Sequence, residues 1–205
     1  MYKIAVLISG GGTNLQSVID NVESKYLNCK IECVISDSKD AFGIERAKKH
    51  NINTYVFDKK EVKSELSNKI LEVIDGKVDL IVLAGFLSIL RGDIIERFKD
   101  RIINIHPSLI PSFCGKGMYG IKVHEAAVNY GVRVSGCTVH FVDEGTDTGH
   151  IILQKHVLVS SEDTAETLQK KVLVEEHKAL SEAIRLIIEN KIEINNGKVI
   201  IKGEK

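Results

Sequence analysis

Asn104 and His106 stand two residues apart in the run Ile102-Ile103-Asn104-Ile105-His106, and this spacing inside a β-branched stretch is the first sign of chemistry. Side chains on a strand alternate faces, so the amide and the imidazole project to one side while Ile103 and Ile105 face the other. Two polar groups at the carboxyl end of a buried strand are costly unless they are paired or used. In open α/β sheets, that end of a strand is where ligands bind. The chain holds only two prolines, Pro107 and Pro111, and both bracket the turn after His106. They stiffen the turn and push His106 and Ile110 toward extended backbone. A lone histidine is more often structural, but the strand end, the polar neighbour and the rigid turn favour a working imidazole. Farther on, Val139-His140-Phe141-Val142 gives way to the acidic loop Asp143-Glu144-Gly145-Thr146-Asp147-Thr148-Gly149. Its spacing is not that of a calcium loop. A carboxylate that reached His106 would orient the ring and favour its protonated form. An imidazolium beside an amide donor suits a developing oxyanion. A merely solvated loop is the other reading, and the pattern alone leaves both open.

A second candidate lies near the start. Ser9-Gly10-Gly11-Gly12-Thr13-Asn14 joins an apolar run to an amphipathic one. Glycines let backbone approach a ligand, and a helix N-terminus offers unpaired N–H groups to an anion. No Gly-Lys-Ser/Thr follows, so this is not a Walker loop. The last glycine of a dinucleotide fingerprint would fall on Leu15. A tight capped turn is the plain reading, and a phosphate site is the better one.

These residues need a scaffold. Short β-branched runs alternate with longer amphipathic stretches, which predicts an α/β fold, doubly wound and Rossmann-like, with a mostly parallel sheet flanked by helices. Strands are expected at 3–9, 30–36, 54–57, 78–84, 102–106, 133–142 and 150–158, and helices at 14–21, 41–50 and 64–75. Several strands are apolar throughout, as when helices cover both faces. A long helix is expected from about Thr164 to Asn190, with N-capping residues in Ser161–Glu166. Leu168, Val172, Glu176, Ala179 and Leu180 share one face of it, so a carboxylate interrupts an apolar stripe. Asn195-Asn196-Gly197 suggests a short terminal hairpin. No repeat or linker is visible, and a single domain is expected over residues 1–205, with a core to about 190 and the hairpin beyond.

Charge narrows the partners. Lys plus Arg (28) balance Asp plus Glu (28), which leaves no long-range field for nucleic acid or an anionic membrane. No apolar run reaches spanning length, and the first residues lack a signal peptide's cleavage site. Cys29, Cys33, Cys114 and Cys137 form no C-x-x-C pair, so free thiols and a cytoplasmic location are expected.

Taken in order, Ser9-Gly10-Gly11-Gly12-Thr13-Asn14-Leu15, Leu83-Ala84-Gly85-Phe86, Asn104-Ile105-His106-Pro107-Ser108-Leu109-Ile110-Pro111 and Val139-His140-Phe141-Val142 resemble the phosphoribosylglycinamide formyltransferase family of folate-dependent enzymes. The likeness runs from about residue 1 to residue 190. It implies formyl transfer from 10-formyltetrahydrofolate to the amine of glycinamide ribonucleotide in purine synthesis, with the folate as co-substrate and no metal. The implied catalytic residues are Asn104, His106 and Asp147, with His140 in support. Gly11, Gly12, Thr13, Asn14, Pro107 and Glu176 are implied for the ribonucleotide, with Glu176 on the ribose hydroxyls. Lys60, Leu87, Ser88, Ile89, Leu90, Asn104, Asp143, Glu144 and Asp147 are implied for the folate. Ser88 departs from members that carry a basic residue there. Cys114 is not expected to act as a nucleophile, because direct amine attack needs no covalent intermediate.

The neighbouring readings are a formyltetrahydrofolate hydrolase and a methionyl-tRNA formyltransferase, which share the Asn-x-His and Asp set. The first would carry an added N-terminal domain and the second an added C-terminal one, and 205 residues starting on the glycine-loop strand fit neither. A non-catalytic nucleotide-binding module would leave Asn104, His106 and Asp147 unexplained. Small-molecule substrates, and a monomer or homodimer, are the expected state.

Overall fold

The computed structural model describes residues 1–203. Contacts within the chain define two compact units, Met1–Asn104 and the segment from Ile105 onward. The first unit runs β1 (Tyr2–Ile8), α1 (Thr13–Glu23), β2 (Cys29–Ser36), α2 (Phe42–Lys49), β3 (Asn53–Val56), α3 (Lys59–Val62), α4 (Leu66–Ile74), β4 (Leu80–Leu83), α5 (Asp93–Arg97) and the start of β5 (Ile102–His106). The second holds the end of β5, α6 (Ile121–Tyr130), β6 (Val134–Phe141), β7 (Ile151–Leu158), α7 (Ala165–Ile188), β8 (Ile192–Asn195) and β9 (Lys198–Ile201). The sheet has seven strands in the order β3-β2-β1-β4-β5-β6-β7, and β8-β9 form a separate antiparallel hairpin.

In the first unit, β1 pairs parallel with β2 on one side and with β4 on the other. Ile4 through Ile8 are wholly buried, which is why the run is apolar on both faces. The chain winds outward from β1 to β2 and β3, then returns to β4 on the far side of β1. The strand order therefore reverses at the carboxyl ends of β1 and β4, the position where such sheets open a crevice for ligands. Ser9 stitches those ends together: its N–H donates to the Gly85 carbonyl (3.0 Å), and its Oγ accepts from the Leu87 N–H (2.7 Å).

In the second unit, β6 and β7 pair antiparallel and α7 covers them. Thr164 caps α7 through a reciprocal bond with Thr167, and the stripe Leu168, Val172, Glu176, Ala179 and Leu180 is buried as one face. Three helices were not foreseen, α3, α5 and α6. The apolar side of α6 is thin, with Val123, His124 and Ala127 as its buried residues, so its periodicity is weak. It is bounded instead by glycines, ending at Gly131 in the left-handed region (φ 81°).

Candidate active site

His106 closes β5, and its ring is fixed from two directions. Its Nε2 lies 2.9 Å from the Phe113 carbonyl and its Nδ1 3.6 Å from Asp147 Oδ2. Both partners are acceptors, so only the doubly protonated ring satisfies both contacts. Burial opposes that charge. It pulls the His106 pKa down, the Phe113 carbonyl and the Asp147 carboxylate push it up, His140 lowers it again, and the net shift is downward. Asp147 thus pushes in the direction the sequence suggested, but desolvation is larger.

Asp147 sits between two histidines, its Oδ1 3.6 Å from His140 Nε2. His140 donates from Nδ1 to the Phe141 carbonyl at 2.7 Å, which sets its ring. The side chains of His106, His140 and Asp147 are 5%, 2% and 12% exposed, a small charge cluster almost out of water. Burial raises the Asp147 carboxyl, but the His140 ring 3.6 Å away, the hydrogen bond from the Gly115 N–H (2.8 Å) and the nearby His106 outweigh it and hold it below the usual carboxylate range. Asp147 adopts a left-handed backbone (φ 59°), a region that aspartate tolerates better than most residues. At Gly149 a Cβ would lie 1.8 Å from the Phe141 carbonyl oxygen, so only glycine lets the loop return this close to β6.

The segment after His106 is held by side chains rather than by secondary structure. Thr138 Oγ1 donates to the Ser108 carbonyl (2.6 Å) and accepts from the Ile110 N–H (3.1 Å). Gln154 donates to the Ile110 carbonyl (3.0 Å), and Ser108 Oγ donates to the Ser112 carbonyl (2.5 Å). The Ile110–Pro111 peptide is cis. These bonds fix the path that brings the Phe113 carbonyl and the Gly115 N–H to His106 and Asp147. The Cys114 thiol donates to the Pro111 carbonyl (3.3 Å), and burial with the Asp147 charge raises its pKa, as a neutral loop thiol should. Pro107 is half-buried in this turn.

In the first unit, Gly12 (φ 70°) starts α1 and lies against α2: a Cβ on it would stand 2.7 Å from Gly43 Cα. The loop carbonyls are all engaged. Gly10 accepts from the Gly43 N–H (3.0 Å), Gly11 from Arg46 Nε (2.8 Å) and Gly12 from the Gln16 N–H (2.9 Å). Gly11 and Thr13 are exposed, while Asn14 is buried. The first N–H groups of α1 have no partner within the helix.

Along Leu87–Leu90, Leu87 and Ile89 are 52% and 49% exposed and Leu90 is buried. Ser88 turns inward, its Oγ donating to the wholly buried Asp37 Oδ2 (2.5 Å), which also faces Lys59 Nζ at 3.4 Å. Lys60 is exposed, and its N–H donates to the Asp58 cap of α3. Asp143 Oδ1 accepts from the Gly145 N–H (3.0 Å) and from Thr148 Oγ1 (2.6 Å), so this carboxylate shapes its own loop, while Glu144 is exposed. Glu176 is buried on α7; burial raises the pKa of the Cys137 thiol, and the Glu176 charge adds to the rise. Asn104 is half-buried, two residues before His106.

Sequence reasoning missed three residues beside these candidates. Gly43 and Arg46 reach the glycine loop from another helix, and no local pattern announces such a contact. His124 lies on the unforeseen α6, 1% exposed, with a buried Nδ1 that has no hydrogen-bond partner among the described residues. Burial lowers its pKa to about 4, with His106 contributing. No group of three or more His, Cys, Asp or Glu side chains suited to a metal occurs among the described residues, and none of their helices is long and apolar enough to cross a membrane.

The strand order reverses beside the glycine loop, a buried His–Asp pair stands at the end of β5, and the formyl transferase family, a class of group-transfer enzymes, matches residues 2–184. The chain is 41% identical to a chloroplastic phosphoribosylglycinamide formyltransferase of Arabidopsis thaliana, over 93% of this chain and 66% of that protein. It is 38% identical to the phosphoribosylglycinamide formyltransferase of Haemophilus influenzae, over 100% of this chain and 95% of that one. The crystal structure of glycinamide ribonucleotide transformylase 1 from Symbiobacterium toebii matches with a TM-score of 0.91 at 40% identity, covering 98% of this chain and 94% of the other. The chain spans 66% or less of the length of the plant and vertebrate relatives it matches. It belongs to the phosphoribosylglycinamide formyltransferase family.

Proposed function

We propose that this chain transfers the formyl group of 10-formyltetrahydrofolate to the amine of glycinamide ribonucleotide. The observation that carries the reading is Asp147 between His106 and His140, with both ring nitrogens of His106 facing acceptors. The amine attacks the formyl carbon, a C–N bond forms, and the carbonyl oxygen becomes an oxyanion. Asn104 stabilises it as an amide donor and His106 through the charge of its ring, whose two nitrogens face Phe113 and Asp147. Burial keeps His106 reluctant to hold a proton in the free enzyme; negative charge developing beside it in a site of low dielectric draws the proton in. Collapse of the tetrahedral adduct breaks the bond to N10 of the folate. The proton lost by the amine passes to N10 through water held near Asp147.

The ribonucleotide phosphate is taken by Gly11, Gly12, Thr13 and Asn14, its ribose hydroxyls by Glu176, and its edge rests on Pro107. The pterin lies along the backbone of Leu87–Leu90 and the Asp143–Asp147 loop, with Lys60 toward the rest of the folate. Ser88 serves through its backbone, since its hydroxyl is committed to Asp37. The chain is read as a single domain, cytoplasmic, and a monomer or homodimer. Formyl transfer measured with glycinamide ribonucleotide, transfer RNA and water as competing acceptors tests the reading. Rapid formylation of the ribonucleotide alone is expected; hydrolysis without transfer would overturn it.

A further inference from the structure

The glycine loop is held by a device that lies outside the residues assigned so far. A trans peptide points its carbonyl and its N–H in opposite directions. The Gly10 carbonyl is fixed on the Gly43 N–H, which turns the Gly11 N–H away from α2. The Gly11 carbonyl is fixed on Arg46 Nε, which turns the Gly12 N–H away in the same manner. Glycine accepts either orientation of a peptide with little penalty, so a run of three glycines needs such anchors to present one N–H edge. Arg46 is itself braced. Its Nη1 donates to Gln16 Oε1 at 3.2 Å, and its guanidinium lies over the Phe42 ring at 5.1 Å. The Gln16 amide is set by its other end, where Nε2 donates to Asp20 Oδ1 (2.9 Å) and faces His50 Nε2 (3.3 Å). His50 Nδ1 in turn lies 2.6 Å from Glu23 Oε1.

We propose that Arg46, braced by Gln16, is a positioning residue that holds the Gly10–Gly12 backbone with its N–H groups turned toward the substrate phosphate. The inference rests on the reading of this loop as the phosphate site. It makes Arg46 a determinant of discrimination between phosphorylated and dephosphorylated acceptors, acting through backbone orientation rather than through the formyl-transfer residues.

The test measures competitive inhibition by inorganic phosphate, and steady-state kinetics on glycinamide ribonucleotide and on its dephosphorylated ribonucleoside. Arg46→Met keeps the aliphatic stem and removes the donors. It is expected to raise KM for the ribonucleotide and to weaken phosphate inhibition by about tenfold each, the scale of one charge-assisted hydrogen bond, with kcat and turnover of the ribonucleoside within about twofold of wild type. Arg46→Lys should recover part of the loss, because one ammonium can meet Gly11 but lacks the planar fork that also reaches Gln16. Gln16→Met should cost about threefold. Arg46→Met with wild-type phosphate inhibition, or with an equal loss on both acceptors, overturns the inference. Wild-type enzyme that ignores phosphate and uses both acceptors alike overturns the phosphate reading itself, before any variant is made.

Discussion

The glycine loop and the His106 region hold their groups in place by opposite means. In the first, Gly12 and Gly43 touch backbone to backbone, the loop carbonyls are turned inward, and the nearest charge, Arg46, serves to fix a peptide. In the second, no backbone regularity holds Asp147. It is kept by a Gly115 N–H, two histidines and a loop that glycine allows to return to β6. One region should therefore be sensitive to added size and to loss of the Arg46 donors that fix its peptide. The other should be sensitive to charge even when size is conserved.

The largest effect should come from charge. His106→Asn and Asp147→Asn are each expected to lower kcat by about 10²–10³-fold, the scale of losing one oxyanion donor. Asp147→Asn also removes a carboxylate that pushes the His106 pKa up. The imidazole should then titrate at lower pH, and the limb of the pH–rate profile that follows loss of the His106 proton should move down with it, as nitrogen NMR and kinetics would report. A limb and a titration that stay in place would mean the 3.6 Å contact does nothing to His106.

The next effect is on stability. His124 has a folded-state pKa of about 4 against an ordinary 6.5, so between those values the unfolded chain binds a proton that the folded chain refuses. Its folded pKa is depressed, so stability is present above about pH 6.5 and lost as pH falls toward 4. From pH 7.5 to 5.0 this amounts to about 2 kcal/mol for His124, and His106 shifts in the same direction. Urea unfolding should show His124→Gln losing less stability on acidification than wild type by roughly that amount. Parallel curves for the two proteins would remove His124 from the acid response.

Size is the probe for the other region. Gly12→Ala places a Cβ 2.7 Å from Gly43 Cα at a left-handed φ of 70°, where neither backbone can yield cheaply. A rise of about tenfold in KM for the ribonucleotide is expected, with about 1–2 kcal/mol lost in stability and the His106 titration unmoved. If the alanine lowered kcat and left KM alone, the division between the regions would fail.

What could be read in the sequence follows the same division. Asn104 and His106 were legible because strand alternation is local, and β5 runs over the residues expected, Ile102–His106. The glycine loop was legible because three successive glycines have few structural reasons to occur together. Arg46 and Gly43 were not, since their partners lie more than thirty residues away and the loop receives both through backbone atoms, which leave no residue-type signature. His124 was missed with its helix, whose buried side is too small to set a period. The balance at His106 was also hidden: Asp147 was identified from the resemblance, but the burial that outweighs it is a property of the packed site.

The smallest expected effect separates two carboxylates of one loop. Asp143 and Asp147 look alike in the acidic run, yet Asp143 Oδ1 shapes the turn, accepting from the Gly145 N–H and Thr148 Oγ1. Asparagine at 143 keeps a carbonyl oxygen that can accept both bonds, so Asp143→Asn removes a charge without removing the turn. If charge matters in this region only where it meets the buried histidines, kcat should stay within about threefold of wild type, since an exposed, solvent-screened carboxylate contributes little. Folate KM should change by a similar amount, and His106 should titrate where it does in wild type. A loss near that of Asp147→Asn would mean that the whole acidic loop, rather than one carboxylate in it, sets the field at His106.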